Sequence, residues 1–133
     1  MLYSRINRWS DERGAAAVEF ALVSPIFILL TIGIMYLCMA LWAVGSLHYA
    51  VEDGARCAAV RSTTQCKDQA TTISYTQSRY FGPSNAPSFT YAATTCGNSV
   101  SASANYVVDL GLTRVTVPIS ATACFPYVPP LVN

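Results

Sequence analysis

The chain changes character three times between its ends. A short polar stretch gives way at Ala15 to an apolar run, and from Phe20 to Gly45 no residue is charged. Beyond that run Leu47, Val51, Ala55 and Ala58 recur at spacings of three and four, while Glu52, Asp53 and Arg56 fall on other faces. That is the period of an amphipathic helix, so one helix is expected from near Ala15 to about Val60. Ala, Leu, Met and Glu, all good helix formers, support it. Pro25 removes one backbone donor within it, which a membrane helix tolerates. Residues 61–66 read as a turn. Lys67 to about Phe81 allows a second helix with Ala70, Ile73 and Tyr80 on related faces. Gly82-Pro83-Ser84-Asn85-Ala86-Pro87 reads as a loop.

The period then shortens to two. Phe89, Tyr91 and Ala93 alternate with Thr90 and Ala92; Ala102, Ala104, Tyr106 and Val108 alternate with Ser101, Ser103 and Asn105; Val115, Val117 and Ile119 alternate with Arg114 and Thr116. Turns are expected at Cys96-Gly97-Asn98-Ser99 and Asp109-Leu110-Gly111-Leu112. Three antiparallel strands in a meander follow, with the third an edge or bulged strand because Pro118 cannot donate to a ladder. The segment from Phe125 to Asn133, with three prolines, is expected to be extended. The fold class is α+β: a long N-terminal transmembrane helix extending outside the membrane, a short second helix and a small three-stranded antiparallel sheet.

As helix, the uncharged run spans about 39 Å at 1.5 Å per residue, against roughly 30 Å of hydrocarbon. It exceeds the apolar core of an ordinary signal peptide, about 7–15 residues. The expected organisation is a leader at residues 1–14, a transmembrane segment at 15–45 and an extracytoplasmic domain at 46–133. Arg5, Arg8 and Arg13 precede the span, which favours a cytoplasmic N-terminus, although Arg56 and Arg61 follow it. Trp9, Tyr36, Trp42 and Tyr49 suit interfaces or packing, and Gly33, Ala40 and Gly45 offer small surfaces for close helix contact. Charged residues are 11% of the chain, against about a quarter in soluble domains. No basic footprint for nucleic acid is present.

Cys38 lies in the apolar run, while Cys57, Cys66, Cys96 and Cys124 fall on the expected outer side. Four exported cysteines read as a disulfide framework with three pairings open. The favoured pairing is Cys57–Cys66, closing a short turn, with Cys96–Cys124, closing a long loop. The second meets a geometric tension. In a meander the ends of the first and third strands are about 10 Å apart, two strand spacings, whereas bonded cysteines need Cα atoms about 5.5 Å apart. No Cys-x-x-Cys occurs and His48 is the sole histidine, so neither a metal site nor a cofactor is expected. No nucleophile–base constellation and no phosphate-binding glycine loop is visible, so an enzyme is not expected either.

Glu19 stands at the head of the apolar run. A carboxylate there is costly, about 2.5–3.5 kcal/mol at the centre of a span, and calls for a partner. If the chain is cut after Gly14, the new ammonium of Ala15 lies one helical turn away. Arg13-Gly14-Ala15-Ala16-Ala17-Val18-Glu19-Phe20-Ala21-Leu22 resembles the start of type IV pilin superfamily proteins, in which a prepilin peptidase cuts after a glycine and the fifth mature residue is glutamate. The wording is closest to the TadE-like branch, minor pseudopilins of tight-adherence (Tad, Flp-type) pilus systems. A second block, Leu47-His48-Tyr49-Ala50-Val51-Glu52-Asp53-Gly54-Ala55-Arg56-Cys57-Ala58-Ala59-Val60, agrees with the family's small-residue pattern. The resemblance covers about residues 13–60.

It implies a structural and assembly subunit of an adhesive pilus, with processing at Gly14 and Ala15 and an assembly role for Glu19. The implied partners are the prepilin peptidase, other pilin and pseudopilin subunits, pilus assembly proteins and the lipid bilayer. The implied location is the bacterial inner membrane or the pilus, single-pass, with the C-terminal domain outside. Two alternatives stay open: an unprocessed single-span anchor presenting a disulfide-bonded binding domain, and a minor pseudopilin of type II secretion. Against the latter, Ala15 to Leu22 lacks that branch's Phe-Thr-Leu-Leu-Glu character.

Overall fold

The fold is that of a computed structural model, which describes residues 8–83, 87–109, 111 and 113–127. The side chains of residues 8–13 fall outside the description, as do the first seven residues of the expected leader, part of the loop before the first strand, and residues 128–133 of the expected extended tail. The order of elements is α1 (Arg8–Val60), α2 (Gln69–Ser78), β1 (Ser88–Thr94), β2 (Gly97–Asp109) and β3 (Arg114–Phe125). The class is α+β, as the hydrophobic pattern predicts. The chain divides into two compact units, Met1–Cys38 and Met39–Asn133.

In the first unit the described residues are helix throughout, and α1 starts at Arg8 rather than near Ala15. Nothing in Arg8–Arg13 opposes a helix, and Gly14 alone costs only about 1 kcal/mol relative to alanine. The helix continues through Pro25 without a break. Thr31 donates its hydroxyl to the Phe27 carbonyl at 2.8 Å, hiding a polar group against the backbone. The large apolar side chains from Val18 to Leu37 are exposed, and α1 is long and apolar enough to cross a membrane.

The second unit closes a core. Leu47, Ala50, Val51 and Ala55 of α1 pack with Phe89 of β1, Val100 and Ala102 of β2 and Ala121 of β3. Ile73, Tyr80, Tyr91, Ile119 and Ala123 close its margin. The α1 face is built of small residues, with Ala43, Ser46, Gly54, Ala58 and Ala59 also buried. Gly54 shows why size matters there: a Cβ at this position would run into Thr76 Oγ1 on α2.

Helix α2 is shorter than expected; of the residues expected on its inner side Ile73 and Tyr80 pack against the core, with two threonines buried beside them. Its buried residues are Thr72 and Thr76, while Ala70 is exposed. Each threonine donates its hydroxyl to the carbonyl four residues earlier, Thr72 to Asp68 and Thr76 to Thr72, both at 2.8 Å. With each hydroxyl satisfied on its own helix, the threonine can be buried without an unmade hydrogen bond. Asp68 caps the helix by accepting the Thr71 N–H at 2.8 Å, and the Thr71 hydroxyl accepts the Asp68 N–H in return.

The strands form one antiparallel sheet in the order β1-β2-β3. They are longer than the alternation indicates. The turn expected over Cys96–Ser99 is confined to Thr95 and Cys96, because Thr94 already pairs with Gly97. Gly97 has φ +129°, and a side chain there would strike the Phe125 carbonyl, so glycine lets the hairpin close against β3. Pro118 lies on β3, an edge strand, opposite Asn105.

Candidate functional site

Gly14, Ala15 and Glu19 all lie on the exposed surface of α1. Among the described residues, no atom beyond the local helix backbone lies within 4 Å of where a Gly14 side chain would begin. Ala15 and Glu19 are four residues apart in continuous helix, which places them on one face a single turn apart. An ammonium created at Ala15 would therefore meet a carboxylate on the same face. Cys38 is a free thiol on the exposed helix surface.

The two disulfides are Cys57–Cys66 and Cys96–Cys124, with Cα separations of 5.9 and 6.5 Å. The tension over the second is resolved by the tight turn. Cys96 immediately precedes β2 instead of following β1 at a distance, and Cys124 sits opposite Ser99 on the neighbouring strand. The separation is thus one strand spacing rather than two. Cys57 and Cys66 are buried with Ala58, and Tyr75 and Tyr91 pack over them.

A polar cluster the hydrophobic pattern does not reveal ties α2 to α1. The Tyr75 hydroxyl donates to Asp53 Oδ2 at 2.9 Å and accepts from the Arg79 guanidinium at 2.9 Å. Arg79 also pairs with Asp53 at 3.1 Å, and its guanidinium lies 4.9 Å from the centre of the Tyr75 ring. The Tyr75 hydroxyl first, and the Asp53 charge after it, raise the Arg79 pKa above its ordinary value. Two residues on, the Phe81 N–H donates to Ser46 Oγ at 2.8 Å. The Asp53 and Arg79 signal was present only as opposite charges far apart in sequence, with nothing local to join them.

Asp53, Arg56, Cys57, Val60, Arg61 and Tyr75 line a cleft of about 160 Å³ beside the first disulfide. Its acid is engaged by Tyr75 and Arg79, so the arrangement acts as a tether between two helices. At the other end of the sheet Asp109 accepts the Gly111 N–H and the Arg114 Nε–H, both at 2.9 Å, and these bonds hold its carboxyl below the usual range, the backbone bond most. Asp68 is likewise lowered, chiefly by the Thr71 N–H, while burial pushes the Tyr80 phenol up. His48, Glu52 and Arg56 are exposed.

These features define a class: a chain with an N-terminal helix apolar and long enough to cross a membrane, leading into a small disulfide-bonded α+β unit. The family model described as TadE-like protein matches residues 14–56, a segment similar to that family. The match begins at Gly14, takes in Glu19 and ends among the small residues that pack α1 into the core. No curated protein and no solved structure matched the chain.

Proposed function

We propose that this protein is a TadE-like minor pseudopilin, a structural and assembly subunit of a Tad adhesive pilus. A prepilin peptidase cuts it between Gly14 and Ala15. It sits in the inner membrane with its N-terminus in the cytoplasm and Ser46–Asn133 outside, where it meets other pilin-type subunits. It is a component that other proteins process and assemble, rather than an enzyme.

The observation that carries this reading is the coincidence of the TadE-like match with the Gly14–Ala15–Glu19 arrangement at the head of an exposed apolar helix. The basic residues before the span favour the stated orientation, and two disulfides suit an oxidising compartment. Glu19 pairs with the Ala15 ammonium of its own chain or of a neighbouring subunit. In the second case the buried charge is tolerated only where the next subunit is in register.

Glu19→Ala tests this role. The variant should still insert, since losing a charge favours the bilayer, and should still be cleaved. Co-purification with other pilus subunits and the number of surface pili should both fall. Normal values for both would remove Glu19 from assembly.

A further inference from the structure

The two edges of the sheet differ. Helix α2 lies against β1, where Phe89 meets the Tyr80 ring edge-on at 6.5 Å between centroids. Strand β3 forms the opposite edge, and among the described residues no strand pairs with its outer side.

The backbone groups this edge presents follow from the register. Thr94 and Gly97 close a two-residue turn, so they exchange both backbone hydrogen bonds, and bonded pairs alternate with unbonded ones from there. Gly97, Ser99, Ser101 and Ser103 therefore turn their backbone groups toward β1, and Asn98, Val100, Ala102 and Ala104 turn theirs toward β3. Their β3 partners are Phe125, Ala123, Ala121 and Ile119. That leaves the N–H and C=O of Ser120, Thr122 and Cys124 pointing outward. Pro118 agrees with this parity, since it falls at an outward position where a missing N–H costs the ladder nothing.

Native sheets blunt their edges with charge, proline or a covering element. From Ile119 to Phe125 the strand reads Ile-Ser-Ala-Thr-Ala-Cys-Phe, with no charge and no proline. That stretch is roughly 20 Å long. Beside it lies a groove of about 490 Å³, with Ala123, Cys124 and Phe125 on one side and Tyr49, Glu52 and Arg56 of α1 on the other. The three α1 side chains are exposed, and among the described residues neither Glu52 nor Arg56 forms an ion pair.

Glu52 and Arg56 are about 6 Å apart along the helix. Side chains on one face of a strand recur at about 6.6–6.8 Å. Two successive inward side chains of an added strand would thus come level with the two charges. The order is set by direction. Ala121 is aligned through Ala102 with Phe89, beside Tyr80 and the Phe81 N–H that Ser46 holds. Ala123 is aligned through Val100 with Tyr91, which packs toward Cys57. Strand β3 therefore runs in the same sense as α1 from Ser46 to Cys57, and a strand antiparallel to it reaches Arg56 before Glu52.

We infer that the Ile119–Phe125 edge of β3 is a docking site for an extended segment of another protein, which adds as an antiparallel strand and carries an acidic residue followed two positions later by a basic one. Main-chain bonds to Ser120, Thr122 and Cys124 hold the segment, and the charges beside the groove select it. The β3 strand of a second copy has no charged residue over this length and does not supply that pair. The site lies wholly within the Met39–Asn133 unit and stands whether or not the chain is processed and anchored as proposed above.

The test uses the full chain in detergent micelles, both disulfides intact, and a blocked, dye-labelled peptide Thr-Val-Thr-Asp-Thr-Lys-Thr. Fluorescence anisotropy should show saturable binding. Hydrogen exchange at Ser120, Thr122 and Cys124, fast in the free chain, should slow on binding, while Ala121 and Ala123 are protected throughout. N-methylation of the peptide at its third and fifth residues, whose N–H groups face β3, should weaken binding about tenfold or more; methylation at the fourth and sixth should not. Thr122→Pro removes an outward donor and should weaken binding equally with an unchanged urea midpoint; if the midpoint falls, the methylated peptides decide. Arg56→Glu should weaken binding about tenfold, and a peptide with lysine in place of the aspartate should restore it. Absence of saturable binding at millimolar peptide, or equal binding of the two methylated peptides, overturns strand addition. Binding indifferent to Arg56→Glu overturns the charge assignment. Slow exchange at Ser120, Thr122 and Cys124 in the free chain overturns the open edge, and slowing that grows with chain concentration assigns it to a second copy instead.

Discussion

Two stretches of the same helix solve opposite problems. From Ala16 to Trp42 the side chains are mostly large, apolar and exposed, whereas from Ala43 to Ala59 the inward face is half alanine, with Ser46, Leu47, Val51, Gly54 and Cys57. Large apolar residues all round suit a solvent of hydrocarbon. Small residues on one face suit close approach of sheet and second helix, where each added methylene must displace a neighbour. The lesson is that hydrophobicity alone does not mark the core of this protein. Its packed part is the less hydrophobic of the two stretches, and it compensates for a small core with covalent and polar ties.

That contrast predicts a graded series of losses confined to the Met39–Asn133 unit. The largest follow from the disulfides. Replacing either pair by alanine should lower stability by roughly 2–4 kcal/mol, and more for Cys96–Cys124 than for Cys57–Cys66, whose separations are 28 and 9 residues. Urea titration in detergent, followed by near-ultraviolet circular dichroism, measures this. Hydrogen exchange should show β2 amides deprotected while those of Phe20–Leu37 stay protected. Equal loss in both stretches would break the contrast.

Gly54→Val comes next. The new side chain would meet Thr76 on α2, and overpacking of this kind costs about 1–3 kcal/mol. Gly33→Val, where nothing lies within 4 Å, should leave the unit's urea midpoint unchanged. A smaller effect is expected at the polar tie. Asp53 and Arg79 are partly solvated, so a double-mutant cycle between Asp53→Asn and Arg79→Gln should give a coupling of about 1 kcal/mol or less. Tyr75→Phe should reduce that coupling, since its hydroxyl bridges the pair.

The smallest effect concerns pH. The Asp68 carboxyl is lowered in the folded chain, first by the Thr71 N–H. Its contribution is present above the unfolded value of about 3.9 and is lost as pH falls through the folded value. Asp68→Ala should therefore destabilise the unit near neutral pH and progressively less in acid. A difference in urea midpoint that stays constant from pH 7 to below about pH 3 would remove the charge from the account of this cap.

Much of this was legible in the chain. The uncharged run from Phe20, the stripe from Leu47 to Ala58 and the three alternating segments located α1 and the three strands, because each rests on side-chain periodicity. What escaped depends on groups that hide their polarity or on partners far away in sequence. Thr72 and Thr76 form the buried face of α2 only because their hydroxyls turn back onto the helix, which no hydropathy pattern registers. The two-residue turn that brings Cys96 beside β3 depends on the backbone of Gly97 and its fit against Phe125. The Asp53–Tyr75–Arg79 tie needs the tertiary fold to exist before it has any meaning. The spacing of Ala15 and Glu19, by contrast, is a local relation, a single turn within the continuous helix α1.

The measurement that bears most directly on the central claim is the intact mass and N-terminal residue of the protein extracted from the membranes of a host that carries the prepilin peptidase. The account predicts a chain beginning at Ala15, and a Gly14→Val variant that retains the leader because the branched side chain does not fit a site shaped for glycine. A wild-type chain still beginning at Met1 would contradict it and leave the protein an unprocessed membrane anchor.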